Sequence, residues 1–171
     1  MISLPKVIAV IDAVNDRVGR AIAWLTLLMV LTAVTVALLR YVFNIGFVWM
    51  QESYIWMHGF VFMLGAGYAL LHGSHVRVDV FYAGFSARRR AWVDILGVLF
   101  LLWPLVGLIG YLGWGYTQES WARSETSYQA GGLQAIYVLK AAIPLFCFLV
   151  GLQGVSLAGR AVLVLKGGHD G

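Results

Sequence analysis

Few side chains in this sequence could do chemistry, and His58 lies deepest in an apolar segment. It follows Glu52 by six residues, inside a stretch without charged groups. A histidine in such a place can relay protons or bind a haem iron. A b-type haem commonly needs a second His or Met ligand on a facing helix, and the other long uncharged segments contain no histidine. The pattern favours a histidine that contacts a neighbouring helix or subunit, with haem binding as the alternative.

A second cluster combines two histidines with an aspartate. His72, His75 and Asp79 have the spacing i, i+3, i+7, so on a helix they would share a face on which a metal ion could bind. The alternation of apolar and polar residues from His75 to Val80 is equally typical of an irregular or interfacial segment. We predict neither a metal site nor a cofactor.

Charged residues near the ends of apolar segments could form pairs or anchors. Arg40 and Glu52 could join two helices through an ion pair, or both could face headgroups or a partner. Asp94 follows Arg90 by four residues, which is the spacing of a helical surface pair. The run of three arginines predicts anchors for topology and anionic lipid at Arg88, Arg89 and Arg90.

The usual enzyme signatures are missing from the sequence. It contains no phosphate-binding glycine loop, no GxSxG elbow, no HExxH motif and no paired-carboxylate constellation. The single cysteine, Cys147, excludes an internal disulfide. We predict that the protein is not an enzyme.

Long apolar helices must position these residues. The 171 residues are 61% hydrophobic and only 12% charged, which argues against a soluble domain. About 20 apolar residues cross the ~30 Å hydrocarbon core of a bilayer. Four segments without Lys, Arg, Asp or Glu reach that length, at residues 21–39, 53–71, 95–117 and 141–159. We predict an all-α integral membrane protein whose four transmembrane helices form one domain over residues 1–171.

The basic residues predict the orientation of these spans. Three basic residues fall on one side, Arg40, Arg123 and Lys140, and nine on the other: Lys6, Arg17, Arg20, Arg77, Arg88, Arg89, Arg90, Arg160 and Lys166. Because cytoplasmic flanks accumulate Lys and Arg, both termini are predicted to be cytoplasmic. Topology thus accounts for the net charge of +4 without a nucleic-acid partner.

The first residues predict an amphipathic helix over 4–19. Apolar residues recur at helical spacing, at Leu4, Val7, Ile8, Ile11, Val14 and Val18. Lys6, Asn15, Asp16 and Arg17 fall elsewhere around the helix. Asp12 and Asp16 interrupt the apolar run, which argues against a cleaved signal peptide. We expect this helix to lie on the cytoplasmic membrane face or to dock on a partner.

The spans show packing features without those of a complete transporter. Small residues that permit close helix approach step along the third and fourth spans, at Gly107, Gly110, Gly113, Gly151, Gly154 and Ala158. Neither broken helices nor matching halves are visible, and the first span lacks a membrane carboxylate. These features favour an accessory or scaffold subunit.

Four short motifs, in this order and at this spacing, give the chain a family resemblance. They are Arg40–Asn44 (RYVFN), Trp49–Glu52 (WMQE), Gly73–Asp79 (GSHVRVD) and Lys140–Pro144 (KAAIP). With the four-span topology, they resemble the small membrane subunit of tripartite ATP-independent periplasmic (TRAP) transporters. Gln51 departs from the family, which often has a second acidic residue beside the one at Glu52.

The resemblance implies a heterodimer in the bacterial inner membrane. The partner would be a large multi-helix subunit that holds the substrate and sodium sites, and a periplasmic binding protein would deliver an organic acid. The small subunit would brace the large one and help to form the docking face. Candidates for contact with the large subunit are Trp49, His58, His75, Arg77 and Asp79. The connection 118–140 is the longest on the non-cytoplasmic side, so its charged residues Glu119, Arg123 and Glu125 are the docking candidates.

Two other function classes stay open at this point. One is a membrane anchor of a redox enzyme, in which His58 would bind haem. The other is a small transporter that works alone as a homo-oligomer.

Overall fold

A computed structural model describes residues 3–74 and 84–167, and the described chain is helical throughout apart from its connections. The helices are α1 (Leu4–Val42), α2 (Val48–Leu71), α3 (Ala87–Gly97), α4 (Trp103–Ala122), the short α5 (Ile136–Lys140) and α6 (Ala142–Gly167). A π-helical turn, Val98–Leu102, joins α3 to α4 without a break. Four stretches are long and apolar enough to cross a membrane: Leu4–Val42, Val48–Leu71, Ala87–Ala122 and Ile136–Gly167. The predicted all-α protein with four spans is confirmed.

Two prolines explain the irregular turns within the spans. Proline has no backbone N–H, so the carbonyl four residues earlier loses its helical partner. Pro104 follows the π-helical turn, a geometry that accommodates such a lost bond. Pro144 leaves the carbonyl of Lys140 free, and Thr117 Oγ1 on α4 donates to that oxygen at 3.2 Å. The fourth span is therefore tied to the third at its proline.

Helix α1 is one continuous helix of 39 residues. At 1.5 Å per residue it is about 58 Å long, well beyond the ~30 Å hydrocarbon core. Residues 4–19, predicted as a separate amphipathic helix, are its first half. Their buried residues are Ile8, Ile11, Asn15 and Gly19, so Asn15 lies on the packed face rather than on the polar one that the sequence pattern suggested. Whether this half lies at the membrane surface stays a prediction.

Helix α6 is the centre of the described fold. It packs against α1, α2, α3 and α4, while α1 and α2 form an antiparallel hairpin. In the fourth span, a third of the most apolar stretch is buried. In the first span, none of the corresponding stretch is buried. Gly154 lies against Leu102 and Trp103, and Gly113 lies against Ile143, so small residues do set these approaches. Gly107 is an exception, because it is exposed and a Cβ added there would meet nothing within 4 Å.

Contacts between the helices bring polar residues together at two opposite ends of the bundle. At the terminal end, Asp12 of α1 contacts Arg160 of α6, and Asp16 contacts His72 just after α2. At the loop end, Glu52 of α2 contacts Ser127 in the segment 123–135 that follows α4. These two ends are the candidate functional regions.

Candidate functional site

The loop end is held by a carboxylate near the start of α2. Glu52 accepts a hydrogen bond from the backbone N–H of Leu133 at 2.6 Å and another from Ser127 Oγ. Gly131 forms the turn with a φ of +78°, in the left-handed region that glycine tolerates. A Cβ at Gly132 would overlap both Ser127 and the Glu52 carboxylate. The local glycines thus let the segment 123–135 close over Glu52.

An ion pair fixes the same segment to the fourth span. Lys140 Nζ lies 2.5 Å from Glu125 Oε2 and 3.7 Å from the centre of the Tyr116 ring. The Lys140 side chain is only 11% exposed, so this ammonium is mostly shielded from water. Its hydrogen bond holds the pKa of the Glu125 carboxyl below the ordinary value of 4.5. The segment 123–135 is therefore anchored to both α2 and the fourth span.

The three predicted docking residues divide into two kinds. Glu119 and Arg123 form an exposed ion pair at 2.5 Å, one turn apart on the end of α4. Glu125 instead points inward to Lys140 and is only 29% exposed. Tyr128, the one aromatic residue of the segment 123–135, is 89% exposed. Sequence reasoning passed over Tyr128, because exposure in a loop leaves no periodic signal.

The structure does not bring Arg40 and Glu52 together. Arg40 is exposed, and it lines a shallow groove with Asn44, Gly46 and Gln51. Within residues 3–74 and 84–167, no ion pair joins it to Glu52, whose oxygens bind the loop instead. The physical reason is that the folded loop already satisfies the Glu52 carboxylate, with the N–H of Leu133 and the hydroxyl of Ser127.

The terminal end contains a polar cluster that sequence reasoning missed. Asn15 Nδ2 donates to Gln153 Oε1 at 2.8 Å, and Gln153 Nε2 donates to Asp12 Oδ1 at 3.1 Å. Asp12 also accepts from Ser156 Oγ at 2.6 Å and pairs with Arg160 at 2.8 Å. Asn15, Gln153 and Ser156 are each at most 1% exposed. We call these five residues the terminal cluster.

One sequence signal could have revealed this cluster. Gln153 and Ser156 are one helical turn apart in an otherwise apolar, charge-free segment, which places two polar side chains on one face. Buried polar groups need partners, so that face must meet other polar residues. The partners on α1 are more than 130 residues away in sequence, as the separation of 138 between Asn15 and Gln153 shows.

The C-terminal end of α2 meets α1 beside the terminal cluster. Asp16 pairs with Arg20 at 2.7 Å, and His72 Nε2 lies 3.4 Å from its other oxygen. The His72 ring also packs on Tyr68, with centroids 4.2 Å apart. The other two members of the suggested metal face, His75 and Asp79, lie outside the described residues, as does Arg77. Among the described residues there is no group of three or more His, Cys, Asp or Glu that could hold a metal ion.

The remaining candidates are exposed or half-buried. Trp49 and His58 on α2 are exposed, and His58 lines an apolar groove between α1 and α2. Arg88 and Arg89 are exposed at the start of α3, consistent with a surface role, while Arg90 Nε donates to the carbonyl of Phe85 at 3.0 Å. Asp94 is half-buried and lines a groove with Arg90 and Arg160.

These features define a class of protein. The polar contacts described above fix a loop or hold helices together, and the apolar helices are long enough to span a membrane. The fold is that of a multi-pass membrane protein whose polar groups serve architecture.

Comparison with known proteins gives the family. The family described as tripartite ATP-independent periplasmic transporters, DctQ component, matches residues 28–163. The chain therefore belongs to this family, the small membrane component of TRAP transporters, as its motifs suggested. Neither the curated proteins nor the solved structures give a significant match. The family is a transporter component and not an enzyme family, and it implies the bacterial inner membrane, a large membrane subunit and a periplasmic binding protein as its setting.

Proposed function

We propose that this subunit braces the large transport subunit and offers the segment 123–135 as part of the docking face for the periplasmic binding protein. The observation that carries the proposal is the double anchoring of this segment, by Glu52 on α2 and by Lys140 on the fourth span. A surface that is fixed before docking loses little conformational entropy when a partner binds. The segment is thus suited to recognise a soluble protein.

Two features of the segment would meet the binding protein. Tyr128 projects an aromatic ring from the anchored loop, and aromatic residues are frequent binding hot spots. The exposed Glu119–Arg123 pair lies at the end of α4 beside it. Rim charges of this kind chiefly affect the rate and specificity of association. Glu125 would act indirectly, by holding the loop through Lys140.

The proposed orientation places the loop end in the periplasm. Nine of the twelve basic residues belong to the side of the termini, which the positive-inside rule assigns to the cytoplasm. Arg88 and Arg89 would then contact anionic phospholipid headgroups, and residues 4–19 would lie at or near the same surface. The transported substrate would be an organic acid, moved with sodium by the large subunit.

The docking role is tested with purified complex in lipid nanodiscs and the cognate binding protein. We expect Tyr128→Ala and the charge reversal Arg123→Glu each to weaken docking about tenfold, a loss of ~1.4 kcal/mol. Tyr111→Ala is the matched control, because Tyr111 is 82% exposed but lies within the third span. Docking and uptake that stay at the wild-type level in both loop variants would contradict the proposal.

A further inference from the structure

The imidazole of His58 lies in the middle of a transmembrane helix. Helix α2 has 24 residues, and His58 is the eleventh of them. It is therefore about 15 Å from the first residue of the helix. Its neighbours across the groove are Met29, Val30 and Ala33, which are central in the apolar part of α1. Both helices thus place His58 close to the level of the bilayer centre.

His58 faces outward from the described fold. Its residue is exposed, and the groove that it lines is otherwise formed by Met29, Val30, Ala33, Tyr54 and Ile55. Within residues 3–74 and 84–167, no hydrogen bond or ion pair reaches the imidazole. Phe62, one turn further along α2, is 73% exposed on the same face.

Three hydroxyl groups of these two helices are satisfied within their own helix. Thr32 Oγ1 donates to the carbonyl of Leu28 and Thr35 Oγ1 to that of Leu31, each at 2.8 Å. Ser53 Oγ donates to the carbonyl of Trp49 at 2.6 Å. These residues can face lipid at little cost. The imidazole of His58 makes no such bond to its own helix among the described residues.

Lipid tails offer nothing that can bind an imidazole. A neutral imidazole has one N–H donor and one acceptor nitrogen, and leaving both unpaired in hydrocarbon is costly. Near the bilayer centre a side chain as short as histidine cannot extend to the headgroups, as Lys or Arg can. Polar residues at such depth usually face other protein, where they bond across helices.

We propose that the groove between α1 and α2 is covered by a transmembrane helix of the large subunit, and that this helix carries a polar group that hydrogen-bonds to His58. The inference rests on the proposed function, since it takes the large subunit as the occupant. It identifies the α1–α2 groove as the face of the small subunit that contacts the large one. It also identifies a hydrogen bond to His58 as the contact at the centre of that face.

The face is tested by photo-crosslinking in the native membrane with the large subunit present. A benzophenone amino acid is placed at Ile55 or Phe62 on the groove face, and at Leu101 or Leu112 on the exposed face of the third span as matched controls. We expect crosslinks to the large subunit from the two groove positions, at several times the yield of the controls. Crosslinks that arise only from Leu101 and Leu112, or that join two copies of this chain, would overturn the inference.

The polar contact is tested by two substitutions at His58. His58→Leu removes the donor and the acceptor, whereas His58→Gln keeps both. We expect His58→Leu to lower recovery of the large subunit in mild detergent about fivefold, and His58→Gln to restore most of it. Phe62→Leu controls for a change of apolar shape. Equal recovery with Leu and Gln would overturn the polar contact.

These outcomes separate the inference from the proposed function. If the wild-type chain recovers a large polytopic partner but its groove gives no crosslinks, the inference fails and the bracing role stands. If the wild-type chain recovers no such partner, the bracing role fails as well, and the inference falls with it.

Discussion

At the scale of single residues, buried or shielded polar groups fix the architecture. Glu52 and Glu125 are acidic residues at the loop end. The sequence suggested that Glu52 forms an interhelical pair and that Glu125 is a docking charge. In the folded chain Glu52 binds an N–H and a hydroxyl of the loop, and Glu125 binds Lys140. In the fold, these two carboxylates therefore position the segment 123–135.

Glu125 predicts a dependence of stability on pH. Its hydrogen bond to Lys140 lowers the pKa of the Glu125 carboxyl below 4.5 in the folded chain. A lowered folded-state pKa gives stability that is present above the unfolded-state value and is lost as pH falls through the folded-state value. We expect Glu125→Gln to lower the melting temperature at pH 7, and the difference from wild type to shrink as pH falls below 4.5 and through the lowered folded-state pKa. Thermal unfolding of both proteins in detergent across this range measures it.

A control lies on the same loop end. Glu119→Gln breaks the ion pair with Arg123, in which the two side chains are 60% and 75% exposed. Exposed pairs contribute little, so this variant should differ from wild type by less than about 1 kcal/mol at every pH. A Glu125→Gln difference that persists at low pH would show that the ionised carboxylate is not the source of the stability.

The terminal cluster predicts non-additive effects of mutation. Gln153→Leu leaves Asn15 without its 2.8 Å acceptor, and Asn15→Leu leaves Gln153 without the matching donor. An unpaired buried polar group costs ~1–3 kcal/mol, so each single variant should be destabilised by that amount. The double variant should lose less than the sum of the two. Denaturant titration of the three variants measures the coupling, and simple additivity would argue against the bond.

At the scale of elements, close contact between helices depends on a few positions without side chains. Gly67 on α2 lies against α1, where an added Cβ would overlap Asn15 Oδ1. Gly19 on α1 similarly meets the ring of Tyr68. The α1–α2 hairpin is therefore packed most tightly near the terminal end, next to the terminal cluster. Toward the loop end the two helices enclose the exposed groove at His58.

Two glycines on α2 allow a direct test of this packing. Gly67→Ala forces Asn15 to move and should cost ~1–3 kcal/mol of stability, because overpacking a tight contact strains its neighbours. Gly65→Ala is the control, since nothing lies within 4 Å of its added Cβ, and alanine favours the helix by up to ~1 kcal/mol. The melting temperatures of the two variants should move in opposite directions. A Gly67→Ala protein as stable as wild type would contradict the contact.

At the scale of the whole molecule, the fold leaves most of its apolar surface uncovered. The most apolar part of the first span has no buried residues within the described chain. In the third span, 11% of the corresponding part is buried. Single chains with so little internal burial need lipid or other subunits around them. This arrangement suits a bracing subunit, with α6 as its own core and the faces of α1, α2 and the third span turned outward.

The orientation of the whole chain is open to labelling with a membrane-impermeant maleimide. In a Cys147→Ser background, we expect a cysteine at Thr126 to react from outside spheroplasts and a cysteine at Ser3 to react only after permeabilisation. Thr126 belongs to the exposed loop, and Ser3 precedes α1. The reverse pattern would mean that the loop end faces the cytoplasm and would rule out its docking role.

The sequence by itself determined the four spans and the family. The thickness of a bilayer sets the length of a charge-free segment that can cross it, as in 53–71 and 141–159. This requirement applies to each segment independently. The motifs around Arg40, Glu52 and Lys140 are equally local. For these properties no knowledge of neighbouring helices is needed.

Only the tertiary structure decided which polar residues meet. Gln153 and Ser156 mark one polar face on the fourth span, but the sequence does not say which helix meets that face, so the contacts with Asn15 and Asp12 were not predictable. Glu52 likewise binds Ser127 and Leu133, far along the chain, in place of nearby Arg40. The rotation of each helix and the pairing of its polar residues depend on how the helices pack around α6. The stable arrangement is the one in which buried polar groups have hydrogen-bond partners.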